Sequence, residues 1–317
     1  MRNVEGSAPR GTDAVAYVVV NWNQSDLTSR CVRALVDDGA PPEQIVIVDN
    51  GSHDDSVERL AANHPSSVHV ALPENVGYAR AANEGARALP SEVYAFVNND
   101  AFVHRPGSTA MLVETATTDR IGIAVPRLLN KDLSLQRSVV PLTSPANALV
   151  RATGLSRFIP NRWQPDWSTH WDHSYSRDIQ CVAGAVMVVR GELWAEVGGF
   201  KSRTAMYGDE LHLFWRTREL GWRARFVAEA EFVHLGNASA PQQWTSADRA
   251  EAMGTAEAVA LRHLMPPNRA RLTVALIAAG LIARLPVFAA LRNRAAVAGI
   301  RAYLRGQRRG LSADVTT

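Results

Sequence analysis

Four side chains in this chain are suited by type to do chemistry: Asp100, His234 and the acidic pair Asp209-Glu210. In Phe96-Val97-Asn98-Asn99-Asp100 an apolar run passes directly into polar residues. A carboxylate at that point can hold a divalent cation, and the amides of Asn98 and Asn99 can donate and accept hydrogen bonds. Together they would form a corner for a metal and a diphosphate. Asn and Asp also make ordinary turns, so the case rests on repetition. Asn21 and Asn23 follow the apolar run 15–20, Asp49 follows the run 44–48, and Asp100 follows the run 92–97. Asp209 and Glu210 suit a general base, although acids at a helix start also complement its dipole. His234 suits a metal ligand or a diphosphate donor, and a lone histidine is also a common core residue.

The elements that must position these residues are legible from periodicity. Near-continuous apolar runs at 15–20, 44–48 and 92–97 read as buried strands, with a shorter one at 68–72. Helices are expected at 25–36, with Ser25 as N-cap, from Asp54 or Asp55 through 62, and at 78–88. Strand alternating with helix predicts an α/β fold with a mostly parallel central sheet. In such sheets ligands bind outside the carboxyl ends of the strands, which is where Asn21, Asp49 and Asp100 fall. The glycine fingerprint of a dinucleotide site is missing after the first strand, where Asn21-Trp22-Asn23-Gln24 stands, and there is no GxxxxGK[ST] phosphate loop.

The second half predicts a helix at 108–118 and a strand at 121–125. A long weakly patterned stretch follows at 128–178, rich in Trp, His and Pro. It reads either as a loop lining an acceptor site or as one packed by its own aromatics. One apolar strand is expected at 179–189, a helical turn at 192–197, and a helix from Asp209 to Leu220 ended by Gly221. Strand 223–228 and Phe232-Val233-His234 come next.

The chain has 317 residues, is 46% hydrophobic and carries a net charge of +3, which is ordinary globular composition. Cys31 and Cys181 are the only cysteines. A disulfide framework is therefore not the plan, and a reducing cytoplasm fits. Residues 1–13 lack an apolar core and read as a disordered tail. From Arg269 the composition changes. An apolar run at 272–283 is interrupted by Arg284 and Pro286 and followed by many arginines. That run is shorter than the ~20 residues of a membrane span. A basic, apolar-faced helical region of this kind suits an anionic membrane surface. Nucleic-acid binding is disfavoured because no groove-reading motif accompanies the arginines.

In its ordered motifs the sequence resembles the inverting family 2 glycosyltransferases, which have a GT-A fold, and among them bacterial rhamnosyltransferases that extend lipid-linked saccharides. The motifs are Val20-Asn21-Trp22-Asn23, Asp49-Asn50-Gly51-Ser52, Asn75-Val76-Gly77-Tyr78-Ala79 with Asn83-Glu84-Gly85, Val97-Asn98-Asn99-Asp100, Val197-Gly198-Gly199-Phe200, Tyr207-Gly208-Asp209-Glu210, and His234 with Ser239. The resemblance implies a GT-A catalytic domain over 14–240 and a basic, helical C-terminal region over 241–317. It implies that Asp49 reads a pyrimidine base, with Asn21 and Asn23 on the same wall. Asn75, Gly77 and Arg80 lie near the ribose and diphosphate, with Asn98 and Asn99 beside them. Asp100 and His234 are implied to hold Mg2+ or Mn2+, and the acidic pair to supply the catalytic base. Asn98 stands where the metal-binding motif has its first carboxylate. The acidic pair runs Asp-Glu where Glu-Asp is usual. Glu210 takes the base by position and Asp209 by residue type.

The resemblance further implies a nucleoside-diphosphate sugar donor, with dTDP-rhamnose first among candidates. The acceptor is expected to be a saccharide, free or linked to a polyprenyl diphosphate, in cell-envelope glycan synthesis. The place is expected to be the cytoplasm, peripheral on the inner face of the plasma membrane. Galactofuranose or an N-acetylhexosamine are the other donor sugars, and a non-catalytic nucleotide-sugar binder is the reading from another class.

Overall fold

The computed structural model describes residues 15–140, 142–153, 171–201, 209–236 and 245–312. The expected N-terminal tail, Tyr207, Gly208 and Ser239 lie outside them, and Asp209 is described only as the first residue of its helix.

The first half alternates as its periodicity predicts: β1 (Val15–Asn21), α1 (Ser25–Asp37), β2 (Ile45–Asp49), α2 (Ser56–Asn63), β3 (Val68–Ala71), α3 (Tyr78–Ala88) and β4 (Val93–Asn98). Then come β5 (Ala101–Val103), α4 (Ser108–Thr117), β6 (Ile121–Leu129), β7 (Leu135–Gln136), β8 (Val139–Val140) and α5 (Pro145–Thr153). The remainder is β9 (Arg177–Ile179), β10 (Cys181–Val182), β11 (Val186–Arg190), α6 (Gly191–Val197), α7 (Asp209–Glu219), β12 (Arg223–His234), α8 (Ser246–Leu264), α9 (Pro267–Ala290) and α10 (Arg294–Ser312).

The main sheet runs β3-β2-β1-β4-β11-β6-β12-β5. Pairing is parallel from β3 through β4 and again between β6 and β12. β11 runs antiparallel to both its neighbours, β4 and β6. The sheet is covered on both faces. Along β1, Val15, Tyr17 and Val19 enter one apolar cluster while Ala16 and Val18 enter another. A strand buried on both sides needs apolar residues at successive positions, which is why 15–20 has no alternation.

Several expectations change in detail. Gln24, not Ser25, is the N-cap of α1, and Ser25 is buried within the helix. The apolar run 179–189 is not one strand. It breaks at Ala183-Gly184-Ala185, between β10 and β11, and Glu210 packs at the break. The long stretch 128–178 contains α5 and short strands. Its Trp171 is buried, stacked on His173 and set edge-on against Phe226. α9 runs continuously through Pro286 for 24 residues, about 36 Å at 1.5 Å per residue. That is long enough to cross a bilayer, so neither Arg284 nor Pro286 ends it as the sequence suggested.

Candidate active site

The polar ends of β1, β2 and β4 lie on one edge of the sheet and are tied together. Thr28 donates to Asn21 Oδ1 at 2.7 Å, and Asn21 Nδ2 donates to Asp49 Oδ1 at 2.8 Å. Ser52 donates to Asp49 twice, from its backbone N–H at 2.9 Å and from its hydroxyl at 2.6 Å. Asp49 thus accepts three hydrogen bonds while buried. A carboxylate has about four acceptor positions, so one remains for an incoming N–H donor. Asn23 sits beside it in left-handed backbone, its N–H on Ser52 Oγ and its Oδ1 accepting from His53 N. Asn99 faces inward, where its amide donates to Thr28 at 3.1 Å. It braces this network from beneath.

A second clamp holds the loop before α3. Asn50 Nδ2 donates to Asn75 Oδ1, which also accepts from Gly77 N, and Asn50 Oδ1 accepts from Val76 N. Gly51, at φ 68°, lets these loops touch. A Cβ there would lie 2.3 Å from the Glu74 carbonyl carbon. Arg80 is exposed on the first turn of α3.

Asp100 and His234 meet at the other end of the same edge. β5 pairs with β12 so that Ala101 faces His234, and Leu235 N donates to Asp100 O. His234 Nε2 stands 3.3 Å from Asp100 Oδ1. The His234 tautomer is set from behind. Gln136 Nε2 donates to the carbonyl of His234 and to Asn130 Oδ1, so its Oε1 is the atom 2.7 Å from His234 Nδ1. Nδ1 therefore carries a proton, and Nε2 is the ring atom that faces Asp100.

Asp100 is 1% exposed and neither carboxylate oxygen has a hydrogen-bond donor. A buried carboxylate without hydrogen-bond donors is costly, and the chargeable side chain beside it is His234 at 3.3 Å. A divalent cation between the two groups satisfies both. Metal-bound histidines donate their second ring N–H to a fixed partner, the role Gln136 fills. Among the described residues no group of three or more His, Cys, Asp or Glu side chains could hold a cation. Two protein ligands completed by phosphate oxygens and water is the ordinary arrangement for Mg2+ at a nucleotide. The donor set therefore fits a cation that arrives with a diphosphate. Cys31 lies beneath Asn98, its thiol kept protonated by burial first and by the charge of Asp100 second.

Glu210, in the first turn of α7, lines the same cavity as Asn98, Asp100 and His234, a space of about 930 Å3. Burial pushes its carboxyl up, partly offset by backbone N–H groups including that of Gly184. A carboxylate whose proton affinity is raised by burial is a better general base than an exposed one. Asn21, Asp49, Asn75 and Arg80 do not line this cavity.

The sequence profile of the family described as "Glycosyl transferase family 2" matches residues 17–170. Residues 17–170 are a family 2 glycosyltransferase domain. It is 25% identical over 235 residues to an N-acetylglucosaminyl-diphospho-decaprenol L-rhamnosyltransferase of Mycobacterium tuberculosis, covering 70% of this chain and 76% of that one. It is also 25% identical over 241 residues to the O-antigen biosynthesis protein RfbC of Myxococcus xanthus, covering 73% of this chain but 18% of that protein. Among solved structures, a mannosyltransferase from Pyrobaculum calidifontis in complex with GDP-Man and Mn2+ superposes with a TM-score of 0.58 at 18% identity, covering 94% and 87% of the two chains. GalNAc-T7 with UDP, GalNAc and Mn2+ gives 0.54 at 15%, covering 73% and 45%. At these identities the two structures establish the GT-A fold.

Sequence reasoning about this glycosyltransferase missed Gln136, Thr28 and Ser52. Ser52 was quoted only within a motif. Gln136 stands 98 residues before His234, in a stretch without periodicity, and nothing local marks it.

Proposed function

We propose that this glycosyltransferase moves a sugar, with inversion, from a pyrimidine nucleoside diphosphate onto a lipid-linked saccharide of the cell envelope. Rhamnose from dTDP-rhamnose is the first choice. The observation that carries the reading is the buried Asp100 carboxylate, without a hydrogen-bond donor and 3.3 Å from His234 Nε2, in one cavity with Glu210. The rhamnosyl and lipid-linked part rests on the names of the mycobacterial and Myxococcus relatives.

In this reading Asp49 accepts from the ring N–H of the base, with its other positions held by Asn21 and Ser52. Asn75 and Gly77 shape the loop beside the ribose and diphosphate. Asp100 and His234 would hold the cation. A divalent ion bound there supplies electrostatic stabilisation of charge on the leaving diphosphate. Glu210 takes the proton of the acceptor hydroxyl. The acceptor oxygen forms its bond to the anomeric carbon as the bond from that carbon to the diphosphate oxygen breaks, and the electron pair leaves with the nucleoside diphosphate. No covalent enzyme intermediate forms. Asp209 is the alternative base.

Membrane association belongs to the same proposal. α9 buries the stripe Ala270, Thr273, Val274, Ile277 and Gly280 against the protein. Its other sides are also apolar, and Leu272, Ile282 and Val287 are exposed. A helix apolar all round calls for a second apolar cover. From Pro267 to Ser312 the chain has nine arginines and no acidic residue, which suits anionic headgroups.

The test is a donor panel with the purified protein and Mn2+, scored by nucleotide release with and without a prenyl-diphosphate-linked saccharide. Acceptor-dependent release from one donor is expected. Tight, metal-dependent nucleotide binding without release from any donor would instead identify a non-catalytic binder.

A further inference from the structure

The 930 Å3 cavity is large for a single saccharide, near the top of the roughly 300–1,000 Å3 range of ligand pockets. The nucleotide wall does not line it. One side carries the catalytic groups Asp100, Glu210 and His234. Much of the rest is built by the C-terminal helices and α5, with β8 and β10 beside them, and the lining is predominantly apolar. Ala148, Ala152, Ile277, Leu281 and Ile300 contribute to it. Three charged side chains also line it: Arg137 between β7 and β8, Arg284 on α9, and Glu257 on α8, whose carboxylate accepts from Thr143 and Tyr303. Arg284 lies on α9, whose other sides are exposed and apolar.

A saccharide needs polar partners, and an apolar tail needs none. A site with a general base, two guanidiniums and a largely apolar wall on a membrane-suited helix matches a molecule with those three parts in series. We propose that this cavity is the acceptor subsite. It takes the diphosphate and the first isoprene units of a prenyl-diphosphate saccharide, with Arg137 and Arg284 on the diphosphate and α5, α9 and α10 around the chain. The inference rests on the glycosyltransferase reading above and adds where the lipid goes.

Gly299 provides a probe. It lines the cavity, and a Cβ added there meets nothing within 4 Å. A larger side chain at this helical position therefore starts in open space at the cavity lining. The experiment is calorimetric titration of the full chain with farnesyl diphosphate, inorganic diphosphate and farnesol, in EDTA so that the cation corner does not contribute. Farnesyl diphosphate should bind at least tenfold tighter than inorganic diphosphate. Gly299→Phe should weaken it at least tenfold, and Arg284→Gln several-fold, with farnesol affinity changed only by Gly299→Phe. Mn2+-dependent dTDP binding by Gly299→Phe should match the unsubstituted protein.

Farnesyl diphosphate binding no tighter than inorganic diphosphate, or unchanged by Gly299→Phe, overturns the proposal. If Gly299→Phe loses dTDP as well, chain-length dependence in the unsubstituted protein decides. Affinity rising from dimethylallyl to geranyl to farnesyl diphosphate supports the subsite, and equal affinities reject it. Loss of dTDP binding in the unsubstituted protein, with farnesyl diphosphate binding intact, would sink the donor reading and leave the lipid site standing.

Discussion

Gln136→Met tests whether the cation corner depends on a proton held in place from behind. Gln136 Oε1 accepts from His234 Nδ1 at 2.7 Å, and its amide is oriented by two acceptors of its own. Methionine keeps the approximate volume and removes the acceptor. Without it His234 can move its proton to Nε2 and donate to Asp100, 3.3 Å away. That tautomer satisfies the buried carboxylate and blocks the nitrogen that faces the cation. Loss of such an outer partner lowers metal affinity by about 10–100-fold, or about 1.4–2.7 kcal/mol at 1.36 kcal/mol per decade. The assay is Mn2+ titration followed by the electron paramagnetic resonance of free Mn2+, at saturating nucleoside diphosphate. Gln136→Glu keeps an acceptor toward Nδ1 but loses the two donations that orient it, so its Mn2+ affinity should fall less than that of Gln136→Met. Equal Mn2+ affinity in Gln136→Met and the unsubstituted protein would refute the tautomer argument.

Glu210→Gln should alter the pH dependence of stability. The carboxyl is raised in the folded state by burial, so the folded chain holds that proton to higher pH than the unfolded chain does. Its contribution is full below the ordinary value near 4.5 and declines as pH rises to the folded value. Thermal melts across pH should therefore show Glu210→Gln gaining on the parent through that window and level above it. Packing of α8 on α10 gives a second contrast. A Cβ on Gly306 would lie 2.0 Å from the Glu251 carbonyl oxygen, while one on Gly299 meets nothing. Gly306→Val should lose about 1–3 kcal/mol in urea unfolding, and Gly299→Ala should gain up to about 1 kcal/mol. Vesicle flotation of the full chain should recover it with anionic vesicles more than with neutral ones. Arg269→Glu with Arg271→Glu should reduce that recovery, each basic residue contributing about 1 kcal/mol; equal recovery on both vesicle types would count against surface binding.

Much of the frame was legible because β1 to β4 are continuous apolar runs whose polar residues fall where the strands end. Asn21, Asp49 and Asp100 could be placed on one edge from that pattern alone. The order of the later strands could not, because β11 is as apolar as a parallel strand yet runs antiparallel between β4 and β6. Its break from β10 at Gly184 was hidden, since alanine and glycine there continue the apolar run. Pro286 misled for a different reason. A proline removes one helical hydrogen bond and usually kinks or breaks a helix, but α9 continues past it. Gln136 carries no local sign of its role because its partner His234 is distant in sequence and the contact exists only once β7 lies beside β6.

In the proposed reaction Glu210 activates the acceptor beside a cation that Asp100 and His234 would hold. The direct measurement is the transfer rate of folded Glu210→Gln at saturating donor, Mn2+ and acceptor, with nucleoside-diphosphate affinity measured on the same sample. A general base contributes about 10²–10⁴-fold, so transfer should fall by at least a hundredfold with nucleotide affinity unchanged. Transfer within tenfold of the original, or a comparable loss in Asp209→Asn while Glu210→Gln stays active, would contradict the account.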